Sequence, residues 1–105
     1  MVIHTPLEKA EKVSANVNGL IMYSESRCQC IHLSLYPGEV VDKHTNPFDV
    51  VFIGLEGSAD LLTDSGNISI KAGETVFVSK DTMRQFSNSQ NEVVRIMVIK
   101  LMQET

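Results

Sequence analysis

Two cysteines and one histidine stand at alternate positions in Cys28-Gln29-Cys30-Ile31-His32 and form the first set of residues capable of chemistry. Alternate side chains of a β-strand point to one face, so two adjacent members of this set could bind a soft metal such as zinc or copper(I). Cys28 and His32 are more than about 12 Å apart by strand rise, so all three cannot bind one ion without a bend. We favour the simpler interpretation that the cysteines pack under the sheet or at a subunit contact.

The two cysteines are also poorly placed for a disulfide, because neighbours on one strand point the wrong way to bridge. The chain contains nine Lys and Arg against thirteen Asp and Glu, and its formal net charge is −4. Nucleic-acid-binding proteins usually gather a basic excess on one face, so no nucleic-acid partner is expected. With neither a bilayer-length apolar stretch nor a secretion signal in the sequence, we expect a cytoplasmic location and no membrane partner.

The elements that would position such residues begin with one short helix. Thr5-Pro6 followed by Glu8 is typical of a helix start and predicts a short N-terminal helix that ends near Val13. The asparagines and the glycine in residues 16–19 then predict a turn.

From Cys28 onward the pattern is that of β-structure. Ile31, Leu33 and Leu35 share one face of the strand predicted at residues 28–36. Further strands are predicted at residues 50–55, 60–64, 67–71, 75–79 and 92–101, with turn residues between them. Short strands at regular spacing predict a β-sandwich or barrel, and 105 residues suffice for one such domain with one core.

The last predicted strand, residues 92–101, is apolar on both faces. A strand of this kind needs cover on both sides. One side would face the core of the domain and the other a second copy of the chain, so the expected assembly is a homodimer.

The spacing of residues 38–57 resembles the first motif of the cupin family. That motif runs Gly, five residues, His-x-His, three or four residues, Glu, six residues, Gly. Here Gly38 is followed after five residues by His44-Thr45-Asn46, and Gly57 stands at the closing glycine.

Residues 73–88 resemble the second motif of the same family, which runs Gly, five residues, Pro-x-Gly, two residues, His, three residues, Asn. Here Gly73 is followed after five residues by Ser79-Lys80-Asp81, and then by Arg84 and Asn88 at the places of the His and the Asn. The resemblance covers about residues 28–101. It implies an all-β fold of the cupin type, a double-stranded β-helix or jelly-roll barrel, with residues 1–105 as a single domain and the barrel core at about 28–101.

In metal-binding cupins, the two His and the Glu of the first motif and the His of the second hold a divalent metal inside the barrel. The corresponding residues here are His44, Asn46, Val50 and Arg84. Valine cannot ligate a metal, and a permanent guanidinium cation repels one. No metal cofactor is therefore expected at this place, and the alternative is a non-standard metal site at His44, Asn46 and Asp49.

The resemblance instead implies an interior pocket in which Arg84, His44 and Asn46 converge. An arginine fork with neutral donors is suited to a carboxylate or a phosphate. The residues expected to bind such a ligand are His44, Asn46, Val50, Phe52, Arg84 and Phe86. The alternative is that Arg84 leaves the mouth of the barrel or pairs with Asp49 or Glu74, and that the interior is a packed core.

Three functions remain open from the sequence. The first is a module that binds a small anionic or polar ligand without a metal, with no catalytic residue assigned. The second is a metal-dependent cupin enzyme, an isomerase or dioxygenase, and the third is a structural homodimer without a ligand. The valine and arginine at two ligand places favour the first over the second, so an enzyme is the less favoured interpretation.

Overall fold

The computed structural model describes residues 1–13 and 17–102 of the chain. Within these residues the structure is almost entirely β. Its ten strands are β1 (Glu11–Lys12), β2 (Asn18–Ser24), β3 (Cys28–Leu35), β4 (Val40–His44), β5 (Asp49–Glu56), β6 (Ser58–Thr63), β7 (Gly66–Lys71), β8 (Thr75–Val78), β9 (Arg84–Ser87) and β10 (Val94–Leu101). The predicted all-β class is confirmed.

The strands form two antiparallel sheets. The larger sheet has six strands in the order β1-β2-β3-β10-β5-β8, and the smaller has four in the order β4-β9-β6-β7. β10 lies inside the larger sheet, where it pairs with β3 along its whole length and with β5 from Arg95 to Leu101. The chain therefore places β9 and β10, which are near each other in sequence, on two different sheets.

The core lies between the two sheets and consists of alternate residues of their strands. On β3, the face predicted to be apolar is buried, with Ile31, Leu33 and Leu35 all in the core. On β10, Val94, Ile96 and Val98 contribute to the same core. This alternation follows from the two-residue period of a strand that has its apolar face against a second sheet.

The predicted N-terminal helix is wrong beyond its first turn. Leu7–Lys9 form one turn of 3-10 helix, and Pro6 caps it without a side-chain hydrogen bond. The chain then extends into β1, which pairs with β2 at the edge of the larger sheet. A seven-residue helix without a docking face is marginal, whereas an edge strand gains ladder hydrogen bonds. In the described part of the chain, no helix is long and apolar enough to span a membrane.

The turn predicted at residues 16–19 is also only partly observed. Residue 16 lies outside the described residues, Val17 forms a bend, and Asn18 already begins β2. Gly19 is a buried part of that strand, and a Cβ there would lie 3.0 Å from the Val13 side chain. The glycine that suggested a turn therefore permits a close approach between β2 and Val13.

Several turns adopt a left-handed backbone, among them those at Gly57 and Asp81. Gly57 has a φ of 74° between β5 and β6, and a Cβ there would lie 3.1 Å from Val94. Asp81 has a φ of 63° just before β9. The second cupin motif has a glycine at this position. Aspartate tolerates the left-handed conformation better than most residues, so it can replace that glycine.

Candidate functional site: a cavity between the sheets

A cavity of about 480 Å³ opens between the two sheets. Most of its wall is apolar and comes from both sheets, including Ile31, Leu33, Phe52, Phe86 and Val98. The charged or titratable residues that line it are Asp42, Lys43, His44, Arg84 and Lys100. Pockets for small organic molecules typically combine an apolar wall with a few polar groups in this way.

Arg84 is the most deeply buried charged residue of the cavity. It begins β9 and is only 3% exposed. Its guanidinium carbon lies 5.5 Å from the centre of the Phe52 ring, which in turn packs edge-to-face on Phe86 with ring centres 4.6 Å apart. The Phe52 ring, packed in place by Phe86, thus offers the cation of Arg84 a weak attraction.

The guanidinium has few polar partners. The Asn46 amide has one orientation in which its nitrogen and its oxygen both form hydrogen bonds, and in that orientation its oxygen accepts a hydrogen bond from Arg84 Nη2. The buried Nε of Arg84 has no hydrogen-bond partner among the described residues. Burial lowers the pKa of Arg84 below its ordinary value. A buried guanidinium without a carboxylate is costly, so this arrangement favours an anion as its partner.

The two carboxylates expected as alternative partners for Arg84 are engaged elsewhere. Asp49 Oδ1 accepts a hydrogen bond from the Lys80 backbone at 2.8 Å, and Glu74 Oε1 accepts one from the Lys71 backbone at 2.9 Å. Within residues 1–13 and 17–102, the ion pairs join other groups, Arg27 with Glu25 and Arg95 with Glu56.

Lys100 brings a second positive charge to the same cavity. It continues the inward face of β10 beyond Val98 and is partly buried. Burial, and then the charge of Arg84, lower the pKa of Lys100. Neither cation forms an ion pair with a described residue. The cavity is therefore positive in a protein whose formal net charge is −4.

His44 lies at the exposed rim of the cavity with its neighbours on β4. It stands opposite Arg84 in the pairing of β4 with β9. Its Nδ1 is 3.0 Å from the backbone oxygen of Asp42, an arrangement that makes Nδ1–H the donor and leaves Nε2 as an acceptor. Asp42 and Lys43 are also exposed and partly offset each other in charge.

The fold around this cavity is found in solved structures of low sequence identity. The chain superposes on the polyketide cyclase RemF from Streptomyces resistomycificus with a TM-score of 0.85 and 15% identity, covering 98% of this chain and 81% of that one. A cupin superfamily protein from Desulfitobacterium hafniense gives a TM-score of 0.79 at 16% identity, with coverage of 98% and 99%. A Cupin 2 conserved barrel domain protein from Salinispora arenicola gives 0.80 at 16%, with coverage of 96% and 88%.

The chain has the cupin fold. No protein-family model matches the sequence, and neither does any curated protein. At identities of 13–20% the structural likeness concerns the fold alone. The double-stranded β-helix predicted from the two sequence motifs is thereby confirmed, while the ligand has to be argued from the cavity itself.

The structure brings together most of the residues expected to bind a ligand. His44, Phe52, Arg84 and Phe86 line the cavity, and Asn46 contacts Arg84. Val50 differs, because it is fully buried in the core and does not belong to the described lining. It lies on β5 directly opposite Lys100.

Lys100 is the site residue that the sequence interpretation missed. The signal was present in β10, where Val94, Ile96, Val98 and Lys100 fall on one face. A lysine in phase with three core residues indicates an amine directed toward the interior.

The side chains at the four positions that hold the metal in metal-binding cupins do not fit a divalent cation here. Arg84 occupies one ligand place and Val50 another, and Asp49 turns its carboxylate to the Lys80 backbone. Lys100 adds a further positive charge. In the part of the chain that the structure describes, no three His, Cys, Asp or Glu side chains cluster closely enough to hold a metal ion.

Cys28, Cys30 and His32 lie apart from the cavity, on the outer face of β3. The two sulfur atoms are 4.0 Å apart and both thiols are free. Burial and the neighbouring Cys28 raise the pKa of Cys30, which disfavours the thiolate that binds metals. His32 is buried, and its Nδ1 has no hydrogen-bond partner among the described residues.

Proposed function

We propose that this cupin binds a small organic anion in the cavity between its sheets, without a metal. The observation that carries the proposal is the pair of cations, Arg84 and Lys100, which line one cavity and share no ion pair with the described residues. A carboxylate or a phosphate entering the cavity would offset the cost of burying these charges. It would also supply an acceptor for the unpartnered Nε of Arg84.

The ligand has an anionic head and an apolar body. Arg84, oriented by Asn46 and Phe52, binds the head through hydrogen bonds strengthened by charge, and Lys100 adds a second positive group. The body packs on the apolar wall formed by residues such as Leu33 and Phe86. A cavity of about 480 Å³ is in the range of sites for drug-sized molecules.

A thermal-shift screen with a graded set of anions tests this proposal. The set contains acetate, hexanoate, phenylacetate and phenyl phosphate, with the neutral amide of each carboxylic acid as a control. Stabilisation rises with ligand concentration over the dissociation constant, so the larger acids should raise the melting temperature and their amides should not.

Two variants separate a built site from general charge effects. Arg84→Ala should abolish the stabilisation, whereas Arg27→Ala should preserve it, because Arg27 is exposed and pairs with Glu25. Equal stabilisation of wild type and Arg84→Ala by every anion would overturn the proposal. A complete lack of stabilisation would favour the structural homodimer without a ligand.

Elemental analysis of protein purified without chelators tests the metal-dependent alternative at His44, Asn46 and Asp49. We expect no stoichiometric transition metal, because Arg84 and Lys100 make the cavity positive. A near-stoichiometric metal that is lost in His44→Ala would overturn the metal-free proposal and favour an enzyme of the isomerase or dioxygenase type.

We further propose that a second copy of the chain covers the outer face of the six-stranded sheet. This outer face consists of the outward-pointing residues of β3, β10, β5 and β8, and Phe77 at its edge is 60% exposed. Along β10 it presents Met97 and Ile99. Arg95 and Glu56 form an ion pair at one end of this face, so their charges offset each other. Two copies related by a two-fold axis can therefore bring these faces together without net electrostatic repulsion.

A further inference from the structure

We infer that Lys100 acts as an amine nucleophile that forms an imine with the carbonyl group of a 2-oxo acid whose carboxylate is bound by Arg84. The inference rests on the proposed anion site and adds a covalent step within it. It identifies the ligand class as carboxylic acids that carry a carbonyl next to the carboxylate.

The position of Lys100 supports this role. It reaches the cavity from β10, while Arg84 reaches the same cavity from β9 on the facing sheet. Lys100 is the sole lysine of the chain on the inward face of a described strand at this cavity; Lys43, the other lysine of the lining, is exposed at the rim. An anion bound to Arg84 therefore shares the cavity with one interior amine, that of Lys100.

The surroundings of Lys100 favour its neutral form. Its neighbours on the adjacent strands are Gln29 and Val50, neither of which is charged. The charged or titratable groups facing it across the cavity are Arg84, Lys43, His44 and Asp42, and Asp42 is exposed at the rim. Burial and the Arg84 charge both lower the pKa of Lys100. Lysines in enzymes become nucleophilic by these same two means, an apolar pocket and a neighbouring cation.

The reaction conserves atoms and charge without an external oxidant. The lone pair of neutral Lys100 Nζ attacks the carbonyl carbon and the carbon–oxygen π bond breaks. One of the two nitrogen protons passes to the oxygen, which becomes the hydroxyl group of a carbinolamine. This hydroxyl then leaves with the remaining proton of the nitrogen as water, and a carbon–nitrogen double bond forms. Arg84 keeps the carboxylate in place while this occurs, which converts a bimolecular encounter into a positioned one.

The apolar wall indicates which 2-oxo acids fit. Beyond the two cations, the cavity presents Leu33, Phe52 and Phe86. A branched or aromatic substituent on the 2-oxo acid would pack on these residues, whereas glyoxylate would leave the wall uncovered.

Reductive trapping tests the inference. Full-length protein is incubated near neutral pH with 4-methyl-2-oxopentanoate and cyanoborohydride, which reduces an imine to a stable secondary amine, and the modified lysines are mapped by mass spectrometry. Lys100 should be labelled about tenfold or more above the exposed Lys9, Lys12, Lys71 and Lys80, because a carboxylate held by Arg84 keeps the carbonyl group in the cavity that Lys100 lines.

Matched ligands and variants identify the cause of the labelling. The corresponding 2-hydroxy acid lacks the carbonyl, so it should compete without leaving an adduct, and 3-methylbutanal lacks the carboxylate, so it should not prefer Lys100. Lys100→Arg should retain stabilisation by anions and lose the adduct. Arg84→Met should lose the preference for Lys100.

The outcomes distinguish this inference from the proposed function. If anions stabilise the wild type through Arg84 but the adduct is spread evenly over the lysines, the imine is wrong and the anion site stands. If no anion stabilises the protein and Lys100 is not labelled, both are wrong.

Discussion

Arg84 and Lys100 line one cavity from opposite sheets, and no described carboxylate forms an ion pair with either. Each lowers the stability of the ligand-free protein, because burial disfavours the charged form of both side chains. A fold under selection for stability alone would place apolar residues at both positions. Under the proposed function, anion binding and the stability of the ligand-free protein therefore oppose each other at this site.

The first prediction follows from this opposition. Arg84→Met should raise the free energy of unfolding in the absence of ligand by about 1 kcal/mol, because it replaces a buried, under-bonded cation by an apolar side chain. Urea denaturation of the purified variant measures the change. The same variant should no longer be stabilised by organic anions.

Arg27→Met is the matched control for the Arg84 substitution. Arg27 is exposed and pairs with Glu25 at 2.9 Å, so its removal should change stability only slightly. A clear loss of stability in Arg84→Met would mean that the protein already satisfies the guanidinium, and would contradict the account of the cavity.

The second prediction concerns alkaline pH. The folded chain releases the Lys100 proton below the ordinary lysine pKa of 10.5, so between these two pKa values the unfolded chain binds more protons. The free energy of unfolding contributed by this group should therefore rise with pH through that window and be smallest below it. Lys100→Met should flatten the rise.

Urea denaturation at several pH values from neutral to about 10.5 measures the slope. Lys43→Met is the control, because Lys43 is exposed at the rim of the same cavity and should leave the slope unchanged. Tyr23 and Cys30 also titrate at alkaline pH, so the comparison is between variants that all retain them. Equal slopes in wild type and Lys100→Met would contradict the burial of the amine.

Much of the fold could be predicted because its signals are local. The strand predicted at residues 28–36 is observed as Cys28–Leu35, and the one at 92–101 as Val94–Leu101. Apolar and polar residues alternate from Ile31 to Leu35, and the second strand is an almost continuous apolar run, so both patterns can be recognised in the sequence. β1, β2, β4 and β9 were missed. β1 has only two residues, β2 begins inside the predicted turn, β4 is mostly polar and β9 has only four residues.

The site was harder to predict because it depends on contacts between sheets. The sequence motifs predict that Arg84 and His44 approach each other, and they are paired residues on β9 and β4. They say nothing of Lys100, which lies outside both motifs and reaches the cavity from the facing sheet. They also do not show that Val50 lies in the core beside the cavity, which depends on how the side chains pack.

The third prediction tests the proposed dimer. Phe77→Asp should convert the dimer into a monomer without unfolding it, since Phe77 is 60% exposed in the single chain and its replacement creates no buried charge there. Light scattering gives the mass, and circular dichroism confirms the fold. Leu62→Asp is the control, because Leu62 is exposed on the outer side of the smaller sheet. A wild-type monomer at all concentrations would exclude the proposed interface.

The fourth prediction concerns acid pH and His32. Burial, and then the charge of Arg95, lower the pKa of His32 from about 6.5, while Glu56 acts in the opposite sense. As the pH falls below 6.5, the unfolded chain takes up a proton that the folded chain resists, so stability should decline. His32→Leu should reduce that decline, and His4→Leu, at an exposed position, should not. Because His32 lies on the outer face proposed to dimerise, the change in unfolding free energy from one pH to another is compared within each variant at fixed protein concentration.

The last prediction concerns Asn88, which is 1% exposed and fully hydrogen-bonded. Its Nδ2 donates to the backbone oxygens of Leu35 and Glu92, both at 2.8 Å, and its Oδ1 accepts from the Gln90 backbone at 2.8 Å. Asn88→Ala leaves these buried groups unpaired and should lower the free energy of unfolding by about 2 kcal/mol. The exposed Asn91→Ala should change it little. Asn88 directly follows β9 of the smaller sheet and bonds to the last residue of β3 in the larger sheet. A loss as small as that of Asn91→Ala would show that water replaces these bonds and that Asn88 does not hold the two sheets in place.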